Sequence, residues 1–194
     1  MYKRQGLIGD AKLAEIAFEA VGKDGDITPL NIEVITLKDN VGISIPHEVK
    51  NGSVIVESYA QFDTRVPENP YPSIFGVHNG TIKPNKTITV SRLYTYPCPG
   101  TGGHSEYIII WNESWNVTAR WEGYTGDWHN ITFEENFTLQ PSVEYNYTIR
   151  TGSYPQIHHT LTLPTANGWI NCTEFVDANG KKYNDQIPAI RLGM

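Results

Sequence analysis

Hydrophobic and polar side chains alternate with a period of two through most of the segment from Tyr107 to Arg150. The odd positions from Tyr107 to Trp121 are apolar with one exception, and polar residues occupy the even positions from Asn112 to Glu122. This pattern is typical of half-buried β-strands. It returns in three later runs, whose apolar members are Ile131/Phe133, Phe137/Leu139 and Val143/Tyr145/Tyr147/Ile149. We therefore predict an antiparallel sheet that buries these residues, together with Trp111, Trp115 and Trp121.

The polar side of these strands carries a second pattern, the N-glycosylation acceptor Asn-x-Ser/Thr, or sequon, in which x is not proline. The sequon asparagines are Asn51, Asn79, Asn85, Asn112, Asn116, Asn130, Asn136, Asn146 and Asn171. The residue frequencies of the chain predict roughly two such matches by chance. In a strand the asparagine and the hydroxyl residue share one face, and the residue between them points to the other. The pattern thus predicts glycans on a solvent-facing sheet; the alternative is compositional accident, because Asn and Thr are common on exposed strands.

Composition favours an extracellular β-sandwich over several other classes of protein. The chain has 194 residues, 11 Tyr and 5 Trp, with only 19% charged residues. A formal charge of −6 argues against a nucleic-acid partner, which would require a basic face. No run of 18 apolar residues occurs, so no membrane span is predicted. We expect a secreted or cell-surface location.

The two cysteines, Cys98 and Cys172, form a candidate disulfide if the compartment is oxidising, as the sequons indicate. The alternative is a pair of buried free thiols. Their spacing does not suit zinc, since there is no second close pair of cysteines.

The chain divides into four segments by composition. Residues 1–5 resemble the translated end of a transposase adapter from sequencing libraries, and we expect them to lie outside the natural protein. Residues 6–60 contain short apolar runs, including 29–37 and 53–56, between glycine turns, which indicates a β module. Residues 61–73 hold three prolines within a short span and predict a linker. Residues 74–194 predict a second all-β domain.

The first module resembles a known family through the order of four short segments. These segments are Leu13–Val21, Thr28–Val34, Leu37–Asp39 and Asn51–Val56. Their order resembles the C-terminal half of a cohesin domain, a jelly-roll β-sandwich that binds dockerin modules. The resemblance implies a truncated jelly-roll piece, with a dockerin-type module as a possible partner of the complete domain. The family's N-terminal strands have no counterpart in this chain.

The second domain has many short strands with turn signals between them, which predicts an immunoglobulin- or fibronectin-like β-sandwich. It is similar to modules of archaeal surface proteins, and this similarity implies no particular activity. Serine, histidine and aspartate occur, but no nucleophile motif does, so we predict no enzymatic activity.

Two weak candidates for metal ligation remain. His104 and His129 both lie in predicted loops, where they could share an ion together with His158 or His159; solvated or hydrogen-bonded loop histidines are the alternative. The segment from Asp177 to Asp185, in which Asp177 and Asn179 are the candidate ligands, faintly resembles a calcium loop, although it lacks an acidic twelfth position. A type I′ turn at Asn179-Gly180 is the alternative, and we predict no required cofactor.

Aromatic residues provide the best signal for ligand binding. Tyr124 and Trp128 lie beside glycines in a predicted loop, and a flat apolar ring there could stack on a sugar. The alternative is that they close one end of the core. The leading hypothesis from the sequence is a non-catalytic, N-glycosylated surface module with a structural or adhesive role. The rival is a carbohydrate-binding module for a polysaccharide that uses these two rings.

Overall fold

The computed structural model describes residues 26–38, 41–44, 46, 48–55, 59–125 and 127–194. Every regular element within these residues is a β-strand, which confirms the predicted all-β fold class. The chain divides into two units, Met1–Ser58 and Tyr59–Met194.

In the first unit, strand β1 (Ile27–Leu30) pairs antiparallel with β2 (Gly52–Ile55). An isolated bridge joins Lys38 to Ser44 in the segment between the two strands. The first strand overlaps the run predicted over 29–37 only at residues 29–30. The second covers 53–55 of the run predicted over 53–56, whose last residue lies outside the described residues. Residues 1–5 and the cohesin-like segment 13–21 lie outside the described residues.

The described residues of the second unit form thirteen strands. They are β3 (Phe62–Asp63), β4 (Gly76–Pro84), β5 (Ile88–Thr95), β6 (His104–Trp111), β7 (Asn116–Arg120), β8 (Asn130–Leu139), β9 (Tyr145–Gly152), β10 (Ile157–His159), β11 (Thr162–Thr165), β12 (Gly168–Asp177), β13 (Lys182–Tyr183), β14 (Gln186–Pro188) and β15 (Ile190–Gly193).

Two main sheets build the second unit as a β-sandwich. A seven-stranded sheet has the order β11-β12-β4-β9-β6-β7, with β13 added beside β12. A four-stranded sheet has the order β3-β15-β5-β8, and a short β10-β14 pair accompanies them. All pairings are antiparallel. The edge strands β7 and β8 belong to different sheets.

The core fills the space between these sheets. From the seven-stranded sheet it receives Ile82, Ile108, Ile110, Tyr147, Ile149, Ile170 and Phe175, and from the four-stranded sheet Phe62, Ile88, Leu93, Ile131, Leu139 and Leu192. Tyr147 is the largest of the fully buried side chains. A Cβ on Gly80 would lie 2.6 Å from the Tyr147 hydroxyl and 1.9 Å from the carbonyl oxygen of Asn171. Glycine therefore allows the ring to pack against β4.

The segment predicted as a linker, residues 61–73, begins inside the sandwich. Phe62 and Asp63 pair with Leu192 and Arg191 in the four-stranded sheet. The Phe62 side chain is fully buried, and Thr64 exchanges hydrogen bonds with Ile190. The proline-rich part of this segment, residues 67–72, forms no strand.

The predicted burial of Trp111 is wrong, because the alternation changes face within the segment from Tyr107 to Trp121. This segment is a hairpin in which β6 and β7 are joined by residues 112–115, and Trp111 pairs with Asn116. Because an odd position pairs with an even one, the odd positions of β6 share a face with the even positions of β7. Ile108 and Ile110 are buried instead, whereas Trp115 and Trp121 pack against the core as predicted.

The prediction for Val143 is also wrong. Tyr145, Tyr147 and Ile149 are buried as expected, but Val143 precedes β9 and is exposed. It follows the turn at Pro141-Ser142, where Ser142 has a positive φ of 66°. The alternation of apolar and polar residues in the sequence therefore begins at Val143, before β9 itself begins at Tyr145.

Two neighbouring alanine substitutions test which face of β6 packs against the core. Ile108→Ala leaves a cavity in the core and should lower the free energy of unfolding by about 2–5 kcal/mol. Ile109→Ala, on the partly exposed face, should cost less than half as much and serves as the matched control. Urea unfolding of both variants measures the difference, and equal losses would contradict the assigned face.

Candidate functional site

The outer face of the seven-stranded sheet, meaning the face turned away from the core, carries four sequon asparagines. Cross-strand partners form one row of Asn171, Thr81, Asn146, Trp111 and Asn116. The adjacent row consists of Glu174, Asn79, Thr148, Ile109 and Thr118. Four sequon asparagines and three of their hydroxyl partners are thus interleaved across five strands in two neighbouring rows; Thr173, the hydroxyl residue of the Asn171 sequon, lies at the bulge of β12.

Core residues lie between the two polar members of these sequons. Tyr147, between Asn146 and Thr148, is fully buried, and Cys172, between Asn171 and Thr173, is nearly so. Ile131 has the same position in the Asn130 sequon of β8. The two-residue repeat of the strand therefore presents the acceptor groups to solvent while the middle residue packs in the sandwich.

The four outer-face asparagines differ in their hydrogen bonds. Asn116 and Asn146 are exposed, and their side chains form no hydrogen bond with any described residue. Asn79 accepts a hydrogen bond from Thr148 Oγ1 through Oδ1 at 2.7 Å, which leaves its amide nitrogen uncommitted. Asn171 instead donates from Nδ2 to Thr81 Oγ1 at 3.2 Å. Because a glycan is joined through Nδ2, Asn116 and Asn146 are the most accessible acceptors.

The other five sequon asparagines lie away from this face. Asn85 and Asn136 are exposed, in the β4–β5 turn and on β8, and Asn51 is exposed in the first unit. Asn112 accepts hydrogen bonds through Oδ1 from Ser114 and Trp115 and holds the β6–β7 loop. Asn130 donates from Nδ2 to Asp127 Oδ2 at 2.6 Å, so its attachment atom is already bonded. None of the nine asparagines is buried.

The two aromatic residues predicted to bind sugar project from the loop between β7 and β8. Tyr124 is 60% exposed and Trp128 is 37% exposed. Their ring centroids lie 5.0 Å apart at an interplanar angle of 86°, so the rings form a corner instead of a flat platform. Trp121 supports this corner, since its indole Nε1 donates to the carbonyl oxygen of Trp128 at 3.0 Å and its ring stacks on His104 at 3.9 Å.

A cleft of about 270 Å³ lies beside this loop, and a second of about 330 Å³ shares part of its lining. Arg120, Trp121, Glu122 and Thr132 line both clefts. These clefts follow the opening between the edge strands β7 and β8. Their charged and hydroxyl groups could hydrogen-bond a polar ligand.

The structure does not bring His104 and His129 together as a metal site. His104 Nδ1 lies 2.7 Å from the carbonyl oxygen of Gly102, and His129 Nδ1 lies 2.7 Å from that of Gly103. His129 Nε2 accepts a hydrogen bond from Trp128 Nε1 at 2.9 Å. Within the described part of the chain, no group of three or more His, Cys, Asp or Glu side chains could hold an ion.

Asp177 and Asn179 form a hairpin turn, and its type differs from the predicted type I′. Gly180 N donates to Asp177 O and has a positive φ of 81°, whereas Asn179 is not in the left-handed region. Together with the bond from Asp177 N to Lys181 O, this is a type I turn followed by a glycine bulge. The Asp177 carboxylate accepts from the backbone nitrogens of Asn179 and Lys181, so these contacts stabilise the turn.

The predicted disulfide is wrong, because Cys98 and Cys172 are free and buried. Cys98 lies in the loop after β5, where its Sγ is 3.6 Å from the carbonyl oxygen of Pro155. Cys172 lies within β12 and pairs with Gly80 of β4. The sequence supplied an even pair of cysteines, but the topology places each thiol against other neighbours. Burial raises the pKa of the Cys172 thiol and disfavours its reactive thiolate.

A fully buried histidine, His78 on β4, was not among the residues predicted from the sequence. Its ring stacks on Phe175 at 4.1 Å, and Nδ1 donates to the carbonyl oxygen of Gln186 at 3.1 Å. Burial lowers the pKa of His78 to about 3, against the opposing effect of the Gln186 carbonyl, so the neutral ring is present in the folded state. Its alternation with Gly80 and Ile82 on β4 was the available signal.

Comparison of this chain with protein-family models, with curated proteins and with solved structures gives no match. The described residues also contain no helix long and apolar enough to cross a membrane.

His78 should make stability depend on pH between about 3 and 6.5, a window that extends above the range in which carboxylates titrate. Its pKa is about 3 when folded and about 6.5 when unfolded, so the unfolded chain binds more protons between these values. The stabilisation is complete above pH 6.5 and decreases as the pH falls, by up to about 1.4 kcal/mol per pH unit.

His78→Gln keeps a donor for the Gln186 carbonyl but removes the titrating group, so its unfolding free energy should fall less between pH 6.5 and pH 5. Burial also lowers the pKa of His158, so part of the slope should persist in the variant. Urea titrations at several pH values provide the measurement. Identical slopes for the parent and the variant would contradict the assigned effect of His78.

Proposed function

We propose that this chain is a non-catalytic module of a secreted or cell-surface protein, N-glycosylated and structural or adhesive in role. The observation that carries the proposal is the arrangement of sequons on the outer face of the seven-stranded sheet. Four acceptor asparagines share that face, and they occupy two adjacent cross-strand rows. Chance placement of polar residues gives no reason for hydroxyl residues to recur two places after each of them.

The position of the core residues strengthens this proposal. Glycosylation of a folded domain requires an acceptor that reaches solvent without loss of packing. Asn146 meets this requirement because its neighbour Tyr147 is fully buried and fixes the strand. A glycan at Asn146 or Asn116 would therefore extend from a rigid sheet. Burial of both thiols is compatible with an oxidising environment, since neither cysteine is accessible for pairing.

Occupancy of the sequons is the direct test. The full chain, secreted from a host that N-glycosylates proteins, should migrate as several glycoforms that a peptide N-glycosidase converts to one. Asn146→Gln and Asn116→Gln should each remove one glycan from the intact mass. Asn184→Gln, at an exposed asparagine outside any sequon, is the matched control and should leave the glycoform pattern unchanged.

Peptide mapping should show high occupancy at Asn116 and Asn146 and lower occupancy at Asn130, whose Nδ2 is bonded to Asp127. A secreted, folded chain without any attached glycan would overturn the proposal.

A second candidate function is carbohydrate binding by the loop between β7 and β8. Tyr124 and Trp128 favour it, because both rings are exposed and their chain neighbours Gly123, Thr125 and Asp127 line a polar cleft. The corner formed by the two rings could hold one sugar against the Trp128 indole. The hydroxyl groups of that sugar could then donate to the Glu122 carboxylate or accept from the Arg120 guanidinium. The ligand class would be a soluble polysaccharide.

Affinity electrophoresis in polysaccharide-containing gels tests this second function. Trp128→Ala should weaken binding about tenfold or more, because it removes the stacking surface. Trp169→Ala, which removes a 49% exposed tryptophan from the outer face, should leave migration unchanged and controls for general loss of aromatic surface. Absence of retardation across a panel of polysaccharides, or equal effects of the two substitutions, would remove this candidate.

A further inference from the structure

Trp111 is an indole on the outer face, between two acceptor asparagines. It pairs directly with Asn146 on one side and with Asn116 on the other. Residues directly opposite on antiparallel strands have Cβ atoms about 4.5–5.5 Å apart. Trp111 is partly exposed, and it is not among the residues that pack in the core. A large apolar ring at this position has a sequon asparagine within reach on either side.

The surface beside Asn146 differs from that beside Asn116. A cleft of about 460 Å³ adjoins Asn146 and is lined by Asn112, Glu113, Ser114, Val143 and Glu144. Asn112, which lines this cleft, follows Trp111 in the chain, and Trp111 is the cross-strand partner of Asn146. The Trp111 indole and a set of hydrogen-bonding groups therefore both lie beside Asn146. Asn112 Oδ1 is engaged by the loop backbone, which leaves the Asn112 amide nitrogen and the Glu113 and Glu144 carboxylates to receive polar groups.

A pyranose ring has matching chemistry. One of its faces presents mostly C–H bonds, which are attracted to the electron-rich face of an indole, while its hydroxyl groups lie at the ring edge. The first sugar of an N-glycan is joined to Nδ2, so a ring on Asn146 starts next to the indole. Its edge can then reach the polar groups of the cleft.

We propose that Trp111 is the stacking platform for the first sugar of a glycan on Asn146, and that the adjoining cleft receives the polar edge of that sugar. The inference rests on the proposed function, because it requires a glycan at Asn146. It makes the glycan part of the folded structure instead of a mobile attachment. It also assigns the partly exposed tryptophan of β6 a ligand attached to its own chain.

The test uses the full chain secreted with high-mannose glycans and trimmed by endoglycosidase H to a single N-acetylglucosamine per site. Asn146→Gln should lower the melting temperature by about 2–4 °C, as expected for loss of one stacking contact in a domain of this size. In a Trp111→Thr background the same substitution should lower it by less than half as much. Asn116→Gln, on the other side of the indole, is the matched control and should show no such dependence on Trp111.

A second measurement does not depend on the stability of the variants. In the trimmed wild-type protein, ring protons of the sugar on Asn146 should resonate upfield of those on Asn85, an exposed site in the β4–β5 turn. Occupied Asn146 without this shift, or with equal melting losses in both backgrounds, overturns the platform and leaves the proposed function standing. Absence of sugar at Asn146, with sugar at other sites, overturns the platform alone, and absence at every site overturns both.

Discussion

The packing of aromatic and branched side chains between the two sheets is the constraint on which the rest of the second unit depends. Tyr147 illustrates it, because its ring fills the space beside Gly80 and its hydroxyl donates to the Asn171 carbonyl on β12 at 3.1 Å. Once one residue of a strand packs in the core, the residues directly before and after it in the chain must face outward. The outer-face rows of asparagines and hydroxyl residues are thus a geometric consequence of the buried packing.

Much of the architecture could be predicted from periodicity. The all-β class and the inward faces of β8 and β9 follow from alternation of apolar and polar residues. The face of β6 could not be predicted in the same way, since Ile108, Ile109 and Ile110 are all apolar and either face is acceptable locally. Only the hairpin register, with Trp111 opposite Asn116, decides which of them enter the core. Register is a property of two strands, and a pattern read along one strand does not contain it.

The candidate site residues show the same contrast between what local alternation predicts and what contacts between distant segments determine. Outward placement of the sequon asparagines on strands follows from local alternation, and the structure has it. Hydrogen bonding at Asn130 and Asn171 depends on partners that are distant in the chain or fixed by loop geometry. The cysteines show the same limit, because their parity and spacing do not reveal that Pro155 and Gly80 are their neighbours. The burial of His78 could not be predicted for a related reason, since its contacts with Phe175 and with the carbonyl oxygen of Gln186 are made only in the folded chain.

The edge strands β7 and β8 have a consequence for association between molecules. An edge strand exposes backbone groups that can pair with another chain, and natural proteins protect such strands with bulk, charge or irregularity. Asn116 lies on β7, and Asn136 lies on β8. Sugars attached at these positions would surround both open edges with hydrated bulk. The same sequons that mark the surface would then keep neighbouring sandwiches from joining into continuous sheets.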